Sequence, residues 1–310
     1  MRTARSQRDH AQRHHESHLD QPFEKARISC KLRAGFKERQ AMANAISKTA
    51  YYTLACRAED ARKPRPLCND TFAFRFMDDE ARQVWARFQS FDRPNASNAA
   101  RHQIIDALVQ EELDREPNAR VVVLGAGFDT RAYRLHGGRW LEVDEPAILT
   151  HKDAKLPVTE AKNPLERLPI DFASESLAQK LEPYRDARRT HVIIEGVLMY
   201  LSTAQRRDML AVLRDVFPHH AVYCDLMRES FQREYSRDLH AVLASMGASF
   251  QDMSDTPESV FLETGYSAVS STSVPLRALE LAGKRVPAFI VRRFMQPVRD
   301  GYRIWKFERR

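Results

Sequence analysis

The stretch Val121 to Tyr133, reading VVVLGAGFDTRAY, narrows the possible folds more than any other part of the chain. Three valines and a leucine run without a polar break into Gly125-Ala126-Gly127. A strand this apolar has no face for water, so it belongs inside a parallel sheet covered on both sides. The glycines that close it permit a tight turn and a close approach of backbone to ligand. Residues Asp129 through Leu135 can then start a helix. Strand, glycine turn and helix make the front half of a nucleotide-type βαβ unit, whose ligand lies at the carboxyl end of the strand.

A second strand, Arg139 to Asp144, ends in an acid 19 positions after Gly125. An acid about 20 residues beyond the first glycine is where a ribose hydroxyl would be held. The third glycine of the dinucleotide fingerprint is replaced by Thr130. These residues favour a nucleoside without a pyrophosphate, S-adenosylmethionine, over a nicotinamide or flavin cofactor.

Three segments carry a family resemblance: GAGFDTRAYRL at 125–135, EVDEPA at 142–147 and IEGVLMYLS at 194–202. In sequence and in order they resemble the leucine carboxyl methyltransferase family, from about Ser47 to the C-terminus. The resemblance implies S-adenosylmethionine-dependent O-methyl transfer on a doubly wound, mostly parallel, seven-stranded class I methyltransferase sheet. It implies that Arg101 meets the methionine carboxylate of the cofactor and that Lys48 lies near the same group. Asp171 with the Phe172 amide would read the adenine edge, and Glu195 would partner the ammonium group.

The net charge of +7 raises the possibility of a nucleic-acid binder. Its distribution argues against one: residues 1–50 hold 11 Lys or Arg against 5 Asp or Glu, so the rest is near neutral. That reads as a basic, disordered tail over 1–22 ahead of a single methyltransferase domain spanning 23–310. Four histidines within residues 1–20 are irregularly spaced and have no companion ligands, so no metal is expected. No apolar run approaches the ~18 residues of a membrane span, and no signal peptide is evident. The four cysteines show neither metal nor disulfide spacing. The expectation is a cytoplasmic enzyme with no membrane or nucleic-acid partner.

Helical periodicity places a cap over 23–115, with a helix from about Phe36 to Ala61 and another over Arg101–Leu113. Arg101 lies four residues before Ile105 and so falls on the apolar stripe of that second helix. Thr71 to Met77 fits either a strand or a crowded helix, the resemblance favouring helix, and Phe91 to Ser97 reads as a loop. Further strands are expected at Leu168–Phe172, His191–Glu195, Ala221–Met227, Ala268–Val274 and Tyr302–Phe307. Ser202 and Gln205 should form a capping box. The charged segment 228–250 reads as a lid insertion beside the ligand.

Methyl transfer from a sulfonium needs a fixed donor, an aimed nucleophile and exclusion of water. No catalytic group beyond such positioning is required. Gly125 and Gly127 should give the donor backbone room, and Asp144 should take its ribose hydroxyls. Glu195 interrupts a run that should be buried, and a buried glutamate needs a partner. Asp129 and Arg131 either close the pocket or pair with each other. Arg228, Arg233 and Arg237 of the lid, with Tyr51 and Tyr52, are candidates for orienting an acceptor. His151 and His240 are candidate bases by position alone. A carboxylate is already ionised at pH 7 and needs no base, whereas a phenol does. The expected acceptor is therefore the carboxylate of a small molecule or peptide C-terminus. A phenol or hydroxyl acceptor is the enzymatic alternative, and a non-catalytic cofactor-binding regulator the other.

Overall fold

Strand β1 (Arg120–Leu124) is buried along its whole length, and its side chains divide the molecule into two cores. Val121 and Val123 point into one cluster, with Ile104 and Ile105 of the helix before the strand. Val122 and Leu124 point into the other, with Leu210 and Leu213 from the opposite side of the sheet. This two-faced burial is what an uninterrupted apolar strand requires. The computed structural model describes residues 49–172 and 174–309, all within one compact unit. Lys48 and the tail over 1–22 lie outside the described residues.

The sheet has seven strands in the order β3-β2-β1-β4-β5-β7-β6. The remaining six are β2 (Arg139–Asp144), β3 (Leu165–Pro169), β4 (Thr190–Ile194), β5 (His220–Met227), β6 (Tyr266–Ser273) and β7 (Tyr302–Arg309). The first five run parallel to one another, and β7 runs antiparallel to both β5 and β6. The doubly wound, mostly parallel sheet of the class I methyltransferase type is therefore present. Strand order reverses between β1 and β4, which opens a crevice at their carboxyl ends.

Before β1 the chain is helical: α1 over 49–61, α2 (Asp79–Phe88) and α3 (Asp92–Arg115). Helix α3 is longer than expected, because Phe91 to Ser97 forms its first turns rather than a loop. Pro94 reads as a loop residue, yet in a first turn its missing N–H costs nothing. Thr71–Phe76 is neither a strand nor an α-helix but a 3-10 helix, with Ala73 and Phe76 buried. Phe76 is buried, Phe72 and Phe74 are half-buried against the same core, and their alternation in sequence imitates a strand.

After β1 come α4 (Arg131–Arg134), α5 (Pro146–Lys155), α6 (Leu177–Leu181) and α7 (Thr203–Val216). Ser202 and Gln205 make the reciprocal capping box of α7. The segment after β5 folds as α8 (Glu229–Tyr235) and α9 (Arg237–Ser245). Helix α10 (Ser259–Glu263) precedes β6, and α11 (Val274–Leu281), α12 (Ala288–Phe294) and α13 (Gln296–Gly301) link β6 to β7. Strand β3 lies nearer the N-terminus than expected, so Asp171 stands two residues past its end. No helix among the described residues is long and apolar enough to cross a membrane.

Strand β7 is locked by aromatic stacking, Phe307 lying over Phe261 at 4.1 Å between ring centroids and fully buried. Phe307→Ala should cost about 3–5 kcal/mol of folding stability, read as a lower urea midpoint.

Candidate functional site

The glycine turn after β1 is built from left-handed backbone. Gly125 has φ +67°, and a Cβ there would stand 2.5 Å from the Val197 side chain. Gly127, at φ +46°, is open by comparison, its nearest neighbour being Ala50 of α1 at 3.6 Å. The turn is tied to β2 through its amides: those of Gly125 and Ala126 donate to the Val143 carbonyl at 2.9 and 3.2 Å. The Gly127 amide donates to the Asp144 carboxylate at 2.5 Å, and the Glu145 amide donates to the same group at 2.7 Å. Burial raises the Asp144 pKa, and these two amides offset only part of that.

Directly after the turn, the Asp129 carboxylate accepts from the Arg131 amide at 2.7 Å and starts α4. The Arg131 side chain is fully buried and is the hub of the site. Its guanidinium pairs with Asp129, with Asp106 at 2.6 Å and with Glu195 at 2.7 Å. Glu195 lies one residue past β4 and also accepts from Arg101 Nε at 2.9 Å. Arg101 Nη1 continues to Asp225 of β5 at 3.2 Å and to the Tyr302 hydroxyl at 3.1 Å. On the other flank Arg134 joins Asp106 at 2.6 Å and Asp70 at 3.5 Å, and Arg57 joins Asp70 at 3.0 Å. Burial pushes the Glu195 carboxyl up, but the surrounding cations, Arg131 foremost, hold it well below the usual range. The same balance lowers Asp129 and Asp106.

His102 sits inside this lattice. Burial, with Arg131 second, lowers its pKa, so it stays neutral. Its Nδ1 is 3.1 Å from Glu195 and its Nε2 is 2.7 Å from Arg134. Arg131 Nη2 also lies 2.7 Å from Nδ1, and a neutral imidazole has one nitrogen to accept with, so it takes a hydrogen bond from only one of the two arginines. His102, Asp129 and Glu195 bring potential metal-ligand atoms within 4.8 Å of one another. The Arg131 guanidinium pairs with both carboxylates and approaches the imidazole at 2.7 Å, which makes the trio an ion-pair core. Four guanidiniums (Arg57, Arg101, Arg131, Arg134) thus face five carboxylates (Asp70, Asp106, Asp129, Glu195, Asp225), which leaves this group of side chains one net negative charge.

The structure brings Arg101, Gly125, Gly127, Asp144 and Glu195 to the tips of β1, β2 and β4. Asp129 and Arg131 do pair with each other. Asp171 and Phe172 lie beyond β3, where the Phe172 amide donates to Glu145 at 3.3 Å and the ring is 48% exposed. The acceptor candidates do not converge. Tyr52 is in the core, stacked on Phe88 at 4.2 Å and bonded to Asn95 and Asn98, each at 3.0 Å. Arg228 heads α8, while Arg233 and Arg237 face solvent beside Glu229 and Asp238. His151 packs against Phe128 and lies 3.5 Å from Asp78. His240 is pushed down to about 4 by burial and packs on Phe250. Lys48 is outside the described residues.

Sequence reading missed His102, Asp106, Arg134, Asp225 and Tyr302. Asp225 carries the signal that exposed Glu195, an acid inside the buried run Ala221–Met227. His102 and Asp106 are one turn apart on the helix face that also buries Arg101.

Fold and site define a doubly wound sheet with a polar crevice at its switch point, the class I methyltransferase architecture. The family model for leucine carboxyl methyltransferase matches residues 50–214, and the chain belongs to that family. A protein of Mycobacteroides abscessus is 26% identical over 56% of this chain and 62% of its own length. One of Mycobacterium avium is 33% identical over 52% and 58%. Both are named "Putative S-adenosyl-L-methionine-dependent methyltransferase". The chain thus spans less than two thirds of the length of these relatives. A DUF574 family protein of Streptomyces avermitilis shares the fold, with a TM-score of 0.53 at 10% identity over 77% of this chain and 95% of that one.

Replacing Arg131 by leucine should cost about 3–5 kcal/mol, because three carboxylates lose their shared cation. Acids whose folded pKa is depressed stabilise the protein fully above about pH 5 and lose that contribution as pH falls. The wild-type urea midpoint should therefore drop steeply below about pH 4, and the Arg131→Leu profile should be flatter.

Proposed function

We propose that the chain is an S-adenosylmethionine-dependent O-methyltransferase acting on a carboxylate. The observation that carries the reading is Asp144, a buried acid at the tip of β2 bonded across to the Gly127 amide. It stands where a ribose can be gripped beside a glycine with room for a ligand. The charge of the network supports the same cofactor. S-adenosylmethionine carries a sulfonium, an ammonium and a carboxylate, one net positive charge, and the buried lattice together with Asp144 holds an excess of carboxylates. The cofactor supplies an electrophilic methyl on sulfur when bound. Asp144 would hold the ribose hydroxyls, Glu195 the ammonium and Arg101 the amino-acid carboxylate. Asp171 and the Phe172 amide would meet the adenine edge.

The histidines favour a carboxylate acceptor. His102 has both ring nitrogens engaged, and His240 is too acidic and too enclosed to deprotonate a phenol near pKa 10. A carboxylate needs only orientation and exclusion of water.

Asp144→Ala should weaken binding of S-adenosylhomocysteine by about 1–3 kcal/mol, through loss of hydrogen bonds to a charged group. Titration calorimetry reads this, and an unchanged affinity removes Asp144 from the site. In a screen of carboxylic acids and phenols with labelled methyl donor, mass spectrometry should find methyl esters. Their rate of formation should be flat from about pH 6 to 8, since the acceptor is ionised throughout. A rate rising about tenfold per unit points to a phenol instead.

A further inference from the structure

Arg101 is gripped from two sides. Its Nε donates to Glu195, and its Nη1 donates to Asp225 and to the Tyr302 hydroxyl. Nη2 has no hydrogen-bond partner among the described residues. It faces Gly196, where a Cβ would stand 3.2 Å away. Gly196 has φ +70° and comes directly after Glu195 at the tip of β4. That Cβ would also stand 3.4 Å from Nη1 and 3.6 Å from Cζ, so any side chain there would crowd the whole guanidinium.

The Asp225 carboxylate binds three groups from three elements. Oδ1 accepts from the Gly196 amide at 2.7 Å, and Oδ2 accepts from Arg101 and, at 2.9 Å, from the Tyr302 hydroxyl. Tyr302 opens β7, the one strand antiparallel to the rest. Burial raises its pKa and keeps the hydroxyl protonated, so it can donate to Asp225 while accepting from Arg101. Two chemically different groups thus fix one guanidinium, and one of them also fixes the glycine beside it.

We propose that Asp225 and Tyr302 are positioning residues that aim the Nη2 edge of Arg101 at the amino-acid carboxylate of a nucleoside-linked ligand. This rests on the proposed cofactor and deepens it. The arrangement assigns the amino-acid end of the ligand to the tip of β4 together with β5 and β7, leaving the nucleoside end to β1, β2 and β3. It separates recognition of the two halves.

The test uses two nucleosides that differ in the half concerned. S-adenosylhomocysteine carries the amino-acid carboxylate, and 5′-methylthioadenosine lacks it. Tyr302→Phe keeps the ring, which packs near Phe231 at 6.3 Å. It should raise the Kd for S-adenosylhomocysteine about tenfold and leave that for 5′-methylthioadenosine within about twofold. Asp225→Asn should show the same selective loss, and it carries the test if the tyrosine variant does not fold. Equal weakening of both ligands shows a structural role and overturns the proposal, as does no change in either. Wild-type protein that binds both nucleosides equally well also overturns it, since Arg101 then gains nothing from the carboxylate. Wild-type protein that binds neither removes the proposed cofactor itself.

Discussion

The structure depends on one buried cation. Arg131 has no exposed surface, and three carboxylates from α3, the β1 turn and the tip of β4 close on it. Three acids this close to one another in a dry interior repel strongly, and none could stay ionised alone. One planar guanidinium with five donors in a fixed fork satisfies them together. It thereby ties the helical segment before the sheet to the switch point between β1 and β4.

From that hub the polar side chains extend along the strand tips as a chain of alternating charge. Arg101 carries it to β5 and β7, and Arg134 and Arg57 carry it back toward the first helices. Such a lattice is a poor source of net stability, since burial of each ion offsets much of the attraction. Its effect is geometric. Glu195, Arg101 and Gly196 are held where a ligand lying across the crevice would meet them, and Asp144 is held separately by amides of the glycine turn. Between β1 and β2 the Gly127 amide joins the turn to Asp144, while Gly125 makes room for the Val197 side chain.

Much of the fold was legible because burial writes a simple pattern. Val121–Leu124, His191–Ile194 and Ala221–Met227 are apolar on both faces, and only a covered parallel sheet accepts such strands. Glu195 stood out for the same reason, as a charge where none could be buried unpaired. The errors came where two structures share one pattern. Phe91–Ser97 has the composition of a loop, but Asp92 and Pro94 equally suit the first turn of a helix. Thr71–Phe76 alternates like a strand, yet the helical alternative that the resemblance favoured is the one that forms, as a 3-10 helix.

Local order alone settled the strands, the glycine turn and the presence of unpaired acids at strand ends, because each follows from near neighbours in the chain. Which cation meets which acid was decided only by the tertiary structure. Arg101 and Tyr302 are 201 residues apart and meet only because β7 returns antiparallel beside β5. Likewise Tyr52 was drawn into the core by Phe88 and Asn95, while Arg233 was left facing water. Residue type sets what a side chain needs, but its partner is supplied by strand order and helix packing, and those arise from the whole chain at once.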